Sequence, residues 1–251
     1  MITVLACRGI GESLEANTLN DVTRHLDPEH FRVVEVPWPA SYGPAPLLVG
    51  PAFDESLRTG HTMLLNRVLA TKGPIVLLGY SGGAALVGNV AAALTPLQAN
   101  IIGVGLIADP FMPEWASPGA GEFGIAGSRS IIAGFPVWWL CDPNDVIGRC
   151  PRNSPLRTVT DQTRAFSLAN LLGWGADLAR RLTLQEWQQV AINWRDPSEV
   201  RAIYARARRG LAGYLVRGDH QSYHLRTMPG QGVTYTRWLA NRINELERSH
   251  R

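Results

Sequence analysis

The sequence predicts an α/β fold with a central, mainly parallel sheet, and three observations carry that expectation. Short apolar, strand-like runs alternate with longer helical patterns, the signature of βαβ units. One of those runs, Ile75 to Gly79, turns over within five residues into an Ala-rich helical pattern that continues through Leu94. The chain has 251 residues, 45% of them hydrophobic, enough to bury one large core without splitting into domains.

Met1 leads directly into a first strand, Ile2 to Cys7, which meets Arg8 and Gly9 too early to be the apolar core of a signal peptide. Export is therefore expected to use another route. A helix is expected over Ser13 to His25, a second strand over Phe31 to Val36, and a helix over Asp54 to Ala70. The strand Ile75 to Gly79 and the helix Ser81 to Leu94 come next, followed by strands Ile101 to Ala108 and Phe135 to Leu140. Pro and Gly mark long loops between Tyr42 and Pro51 and between Pro110 and Gly127. After Cys150 the alternation stops. Asp161 to Leu182 and Thr183 to Trp194 read as helices, and a third opens at Asp196, an N-cap followed by Pro197 at the first helical position. Val200, Ile203, Tyr204, Ala207 and Leu211 then form one apolar stripe. The sheet is expected to resume near Tyr214 to Val216, and a helix over Thr236 to Leu246 closes the chain. The organisation is thus a single domain, 1–251, with a helical insertion over 152–213.

Composition removes several function classes. No apolar run approaches the eighteen or so residues needed to cross a bilayer. The net charge is only +3, and Lys72 is the sole lysine beside many arginines, a bias that a GC-rich coding sequence explains. Arg201, Arg206, Arg208 and Arg209 share one expected helix and read as its solvated face. No zinc-finger spacing or aromatic-interleaved basic patch points to nucleic acid. His25, His30 and His61 lack ligand spacing and read as surface residues, so neither a metal nor a cofactor is expected. Three cysteines, Cys7, Cys141 and Cys150, make no disulfide scaffold, although Cys141 and Cys150 bracket one loop and are close enough in sequence to bridge. Oligomeric state is not legible.

The chemistry-bearing segment is Gly79-x-Ser81-x-Gly83, the spacing of a nucleophile elbow. Both glycines are needed because side chains in so tight a strand-to-helix turn would collide with the strand and the helix. Ser81 sits at the apex, in a strained conformation that lifts its hydroxyl above the sheet edge. A serine hydroxyl needs a histidine to take its proton, and the histidine needs a carboxylate to fix its tautomer. In this arrangement the chain order is Ser, acid, His. Only His220, His224 and His250 follow Ser81; His250 lies in a charged tail. His220, in Gly218-Asp219-His220-Gln221-Ser222-Tyr223, is favoured over His224, which reads as a helix-surface residue. For the acid, Cys141-Asp142-Pro143-Asn144-Asp145 follows the strand Phe135 to Leu140, where the fold places it. Asp145, at the far end of the turn, points back most easily to a histidine, with Asp142 and Asp109 as rivals.

Several of these segments resemble one family. Ala6-Cys7-Arg8-Gly9-Ile10-Gly11-Glu12 is similar to the Ala-Arg-Gly-[Ser/Thr]-x-Glu segment of cutinases. Cys141-x3-Asp145 with a later cysteine resembles their Cys-x3-Asp-x2-Cys acid loop, and His220-x-Ser222-Tyr223 their His-Leu-[Ala/Ser]-Tyr. The whole plan looks more like a cutinase relative, the mycobacteriophage lysin B esterases, which share the missing signal peptide and the helical segment between acid and histidine. Pro37-Trp38-Pro39-Ala40 and Asp109-Pro110-Phe111-Met112 are also similar to loops of that family. The resemblance implies a cutinase-like α/β-hydrolase with a Ser81, Asp145, His220 triad, an oxyanion hole from the backbone N–H groups of Ile10 and Gly82, and a Cys141–Cys150 bridge. Three departures stand out. The second cysteine comes five residues after Asp145 rather than three, Gly82 replaces a frequent glutamine, and Ile10 replaces a hydroxyl residue.

That resemblance implies a serine esterase hydrolysing the ester between mycolic acids and arabinogalactan of the mycobacterial envelope. Such a protein is made in the host cytoplasm and acts on the envelope after release. The alternatives are a general cutinase or lipase acting on short- to medium-chain lipid esters, and an inactive wall-binding protein on a hydrolase fold. An intact Ser, Asp and His in the right order argues against the last. The insertion is expected to wall the site for an acyl chain with Phe166, Leu171, Trp174, Trp187 and Trp194.

Overall fold

The computed structural model describes residues 1–46, 49–94, 99–164, 177, 180, 183–184, 188 and 190–249. In chain order its main elements are β1 (Ile2–Cys7), α1 (Asn20–Thr23), β2 (Phe31–Glu35), α2 (Phe53–Ala70), β3 (Ile75–Tyr80), α3 (Gly82–Ala93) and β4 (Ile101–Ile107). Then follow β5 (Glu122–Phe123), β6 (Val137–Leu140), β7 (Cys150–Pro151), α4 (Leu156–Thr163), α5 (Pro197–Leu215) and α6 (Tyr235–Ser249). Five strands form one sheet in the order β2-β1-β3-β4-β6, and every neighbouring pair is parallel. The short β5 and β7 pair separately as an antiparallel ribbon.

Strand periodicity divides the core between the two faces of this sheet. Leu5 and Cys7 of β1 and Ile75 and Leu77 of β3 pack with Leu64 and Val68 of α2 and Leu86 and Val90 of α3. Val4, Ala6, Val76 and Leu78 point the other way, against Val22 of α1 and Leu239 and Ile243 of α6. Because β1 and β3 are covered on both faces, they read as continuous apolar runs rather than alternating ones. Trp138 and Trp139 of β6 fall on opposite faces and pack into the two different clusters. In-register pairing aligns Cys7 with Gly79 and Gly79 with Leu106, and Leu106 with Trp139. The loops after β1, β3, β4 and β6 therefore leave at one edge, the carboxyl end where α/β sheets place their sites.

Two expectations are corrected. The segment Ser13 to His25 is not one helix, since only the turn Asn20–Thr23 is helical. Side chains there take the amides that a helix would use. Ala16 N–H donates to Ser13 Oγ at 2.9 Å, Asn17 N–H to Asn20 Oδ1 at 2.7 Å, and Thr18 N–H to the Glu12 carboxylate at 2.8 Å. Nor does the sheet resume at Tyr214 to Val216. The helix begun at Asp196, whose carboxylate caps Ser198 and Glu199 as expected, continues to Leu215, and the Ala212 carbonyl still accepts from Val216. Its apolar stripe buries Ile203 and Ala207 and keeps the helical period past the point where a strand was expected. Asp161 to Leu182 and Thr183 to Trp194 fall largely outside the described residues; Asp161 belongs to α4, which starts earlier, at Leu156.

Candidate active site

The elbow is built as its sequence requires. Ser81 has φ 55° and ψ −120°, a backbone conformation that costs a non-glycine residue about 1–3 kcal/mol and persists only where its surroundings enforce it. They do so here through packing. A Cβ at position 83 would stand 1.9 Å from the Cys7 carbonyl oxygen, and one at position 79 would stand 2.5 Å from the Gly83 carbonyl oxygen. The Ser81 N–H donates to the Ile107 carbonyl at 2.9 Å, which pins the apex to β4.

Ser81 Oγ lies 2.8 Å from His220 Nε2, and His220 Nδ1 lies 2.8 Å from Asp145 Oδ2. Three residues from three loops thus form one continuous relay. Asp145 leaves the carboxyl end of β6, and its Oδ1 accepts from Ile147 N–H at 3.0 Å. Burial pushes the Asp145 carboxyl up, but His220, the Tyr223 hydroxyl and the Ile147 amide outweigh it and hold the group below the usual carboxylate range. His220 follows the end of α5, not a strand. Its carbonyl accepts from Tyr80 Oη at 2.7 Å, and its ring stacks on Tyr80 at 5.1 Å and lies 5.2 Å from Tyr214.

The rivals have other partners. His224 Nδ1 is 3.7 Å from Asp21. Asp142 starts the turn, accepting from Asn144 N–H at 2.8 Å, and pairs with Arg226 at 3.0 Å. Asp109, fully buried, is clamped by Arg129 at 2.6 and 2.8 Å and by the Trp139 indole N–H. His250 lies outside the described residues.

Tyr223 is a feature that sequence reasoning did not assign. Its hydroxyl donates to Asp145 Oδ2 at 2.7 Å, the oxygen that also faces His220, and accepts from Asp142 N–H at 3.2 Å. Burial first, and Asp145 next, push the phenol well above its usual value, so it stays a proton donor. The Ser222-Tyr223 pair beside the histidine was its one visible signal. Tyr223→Phe is expected to lower kcat by about tenfold, the scale of one hydrogen bond to a charged group. With one donor fewer, the Asp145 carboxyl should titrate closer to the usual carboxylate range, so the acid limb of the kcat/KM profile should begin to fall at higher pH. A kcat loss with an unmoved limb would reduce Tyr223 to packing.

Gly82 is the first residue of α3, where a helix amide has no partner within the helix, and Ile10 stands beside it in the loop after β1. Two departures from the cutinase pattern prove to be complementary here. A Cβ at position 82 would stand 2.8 Å from the Ile10 side chain, so isoleucine fills the space that a larger residue 82 would need. Ile10, Ser81 and Gly82 all line one cleft.

The three cysteines are buried free thiols. This corrects the expected bridge. Cys141 Sγ faces Tyr223 Oη at 3.9 Å, whereas Cys150 sits on the β5–β7 ribbon with Ile125 and Val146. Burial raises all three thiols above their ordinary value, which leaves them poor nucleophiles. No group of three or more His, Cys, Asp or Glu among the described residues is arranged to hold a metal ion, and no described helix is long and apolar enough to cross a membrane.

Ser81 and His220 open into a cleft of about 1190 Å³. Its lining includes an apolar set: Tyr42 and Phe53, stacked at 5.2 Å, together with Ile125, Val146, Leu156 and Val159. It also includes polar residues: Glu15 and Asn17 from the loop after β1, Asn20 and Asp21 from α1, and Gln221 and His224 from the turn after His220. Of the expected acyl-chain walls, Trp194 is 66% exposed and lies outside the cleft. Phe166, Leu171, Trp174 and Trp187 lie outside the described residues. α4 and α5 contribute instead, through Leu156, Val159, Leu211, Tyr214 and Leu215.

No family model matches the chain, and no curated protein matches it. Among solved structures it is similar to lysin B from Mycobacteriophage D29, at 16% identity and a TM-score of 0.58, over 98% of each chain. It is also similar to the catalytic core domain of acetyl xylan esterase from Trichoderma reesei (15% identity, TM-score 0.47, 72% of this chain and 94% of that one). A cutinase-like protein from Cryptococcus sp. matches at 16% identity and a TM-score of 0.43, over 73% of this chain and 90% of that one. The five-stranded parallel sheet, its flanking helices and the match over nearly the whole of both chains show that the chain has an α/β fold of the lysin B type.

Proposed function

We propose that the protein is a serine carboxylic-ester hydrolase whose substrate joins long acyl chains to a polyol, the mycolyl ester of arabinogalactan in the mycobacterial envelope. The Ser81–His220–Asp145 relay, 2.8 Å at each link, carries the reading. His220 Nε2 takes the Ser81 proton as Oγ attacks the ester carbonyl, and Asp145 stabilises the imidazolium that forms. The oxyanion develops toward the amides of Ile10 and Gly82. The tetrahedral intermediate collapses with expulsion of the sugar alcohol, which takes the proton back from His220. Water activated by the same histidine then releases the fatty acid and restores Ser81. No cofactor takes part in these steps.

The finer substrate rests on the cleft and on the resemblance drawn from the sequence. The apolar residues that line the cleft suit acyl chains, and the carboxylates and amides that line it suit sugar hydroxyls. In this reading the chain is made in the host cytoplasm and reaches the envelope on release. The test is thin-layer analysis of lipids released from purified mycolyl-arabinogalactan-peptidoglycan. Free mycolic acids are expected with the wild type and none with Ser81→Ala. Cleavage of p-nitrophenyl esters without mycolate release would favour a general cutinase or lipase. Binding to the wall without either activity would favour an inactive wall-binding protein.

A further inference from the structure

The outer face of α5 takes no part in the Ser81–His220–Asp145 relay, yet it exposes large apolar side chains beside arginines. Its inner face is committed: Ile203 and Ala207 are buried, Gly210 packs on Val146, and Arg206 pairs with Glu122. Turning outward at spacings of three and four are Arg201, Tyr204, Arg208, Leu211 and Leu215, which form one stripe along the helix. All five are exposed. Leu215 is 67% accessible, Val216, just beyond it, 82%, and Leu225 70%. Arg217 and Arg226 both bind the buried Asp219, which ties the turn carrying Leu225 to the end of α5. At that same end, Leu211 and Leu215 also line the cleft.

We propose that this stripe docks the protein on an anionic lipid surface, with the cleft mouth turned toward the lipid. Large aliphatic side chains at a helix end and the following turns are what an interface-lying element buries, while arginines above them meet acidic headgroups. The charge fits this occupant. Between Pro197 and Leu215 the helix carries four arginines against one acid, Glu199, and among the described residues only Arg206 of the four is paired to a carboxylate by a salt bridge. A nucleic acid would gain nothing from exposed Leu215, Val216 and Leu225, and self-pairing along the stripe would press Arg201 and Arg208 into an apolar seam. The continuity of the patch with the cleft makes docking useful to an enzyme whose substrate is anchored by its acyl chains.

Co-sedimentation of the full chain with vesicles tests this, read in a Ser81→Ala background so that binding is separated from hydrolysis. Wild-type-like binding is expected on phosphatidylglycerol–phosphatidylcholine vesicles and much weaker binding on pure phosphatidylcholine. Arg201→Gln and Arg208→Gln should each weaken binding by about fivefold. Val216→Ser with Leu225→Ser should weaken it on every vesicle. Built on the active enzyme, these variants should keep wild-type hydrolysis of a soluble p-nitrophenyl ester, since none of the four residues lines the cleft. Equal binding to neutral and anionic vesicles, or binding untouched by the variants, overturns the proposal. So does light scattering that finds a dimer dissociated by Val216→Ser and Leu225→Ser, which would make a second copy the occupant.

Discussion

Ser81→Ala and His220→Ala are each expected to lower the kcat for p-nitrophenyl butyrate by on the order of a millionfold, with circular dichroism unchanged. The hydroxyl becomes a nucleophile only as its proton leaves along the 2.8 Å contact to His220 Nε2, so loss of either partner removes the same step. The double variant should therefore be no worse than either single one. Residual rate above water would come from the Ile10 and Gly82 amides and from substrate binding, which neither substitution touches. The fold should tolerate both changes, because the hydrogen bonds that hold this region are made by other atoms. The His220 backbone is tied to Tyr80 through its carbonyl, and the Ser81 backbone to Ile107 through its amide. Wild-type activity in His220→Ala would transfer the role of base to His224.

Asp145→Asn is expected to cost about 10⁴-fold in kcat, while Asp142→Asn costs far less. An amide at position 145 can present its NH₂ to His220 Nδ1 and so favour the tautomer that places a proton on Nε2, where it cannot accept from Ser81. Asp142 sits one turn away, engaged with Asn144 and Arg226, and its loss should loosen the loop without reversing the tautomer. The two variants should also separate by stability. The Asp145 carboxyl is held below its ordinary range in the fold, so the stability it contributes is fully present above the unfolded carboxylate value, about 3.9. That contribution is lost as pH falls through the lower folded value. Urea melts from about pH 6 down to about pH 3 should therefore decline in the wild type, and Asp145→Asn should flatten the part of the decline that belongs to this group. Full activity in Asp145→Asn would move the acid to Asp142.

Features that depend on neighbouring residues could be read directly from the chain. The elbow is the clearest case. Gly79 is required by atoms of Gly83 and Ala84, close in the chain, so a strand–turn–helix pattern around one serine suffices to identify it, although Gly83 answers to Cys7 and Arg8, far away in the sequence. The parallel sheet was legible for the same reason, as β1, β3 and β4 are covered on both faces and must be apolar throughout. Asp145 and His220 could be narrowed to a few candidates by chain order and ranked by loop position. Their meeting depends on a fold that brings residues 75 and 139 positions apart within hydrogen-bond reach.

What the sequence did not reveal depends on partners distant in the chain or on competition within a segment. The helix expected over Ser13 to His25 fails because Ser13, Asn17, Asn20 and Glu12 side chains take up the backbone amides, a competition that apolar periodicity does not register. The strand expected at Tyr214 to Val216 fails because a three-residue apolar run has no intrinsic preference once a preceding helix can extend through it. The role of Tyr223, the complementarity of Ile10 with Gly82 and the separation of Cys141 from Cys150 are all questions of which side chains face one another. The sequence by itself determined the parallel sheet and the serine elbow at its edge, because the turn from Gly79 to Ala84 and strand periodicity are local. Only the tertiary structure decided which acid, which histidine and which tyrosine complete the site, because those choices are made by distances across the packed sheet edge.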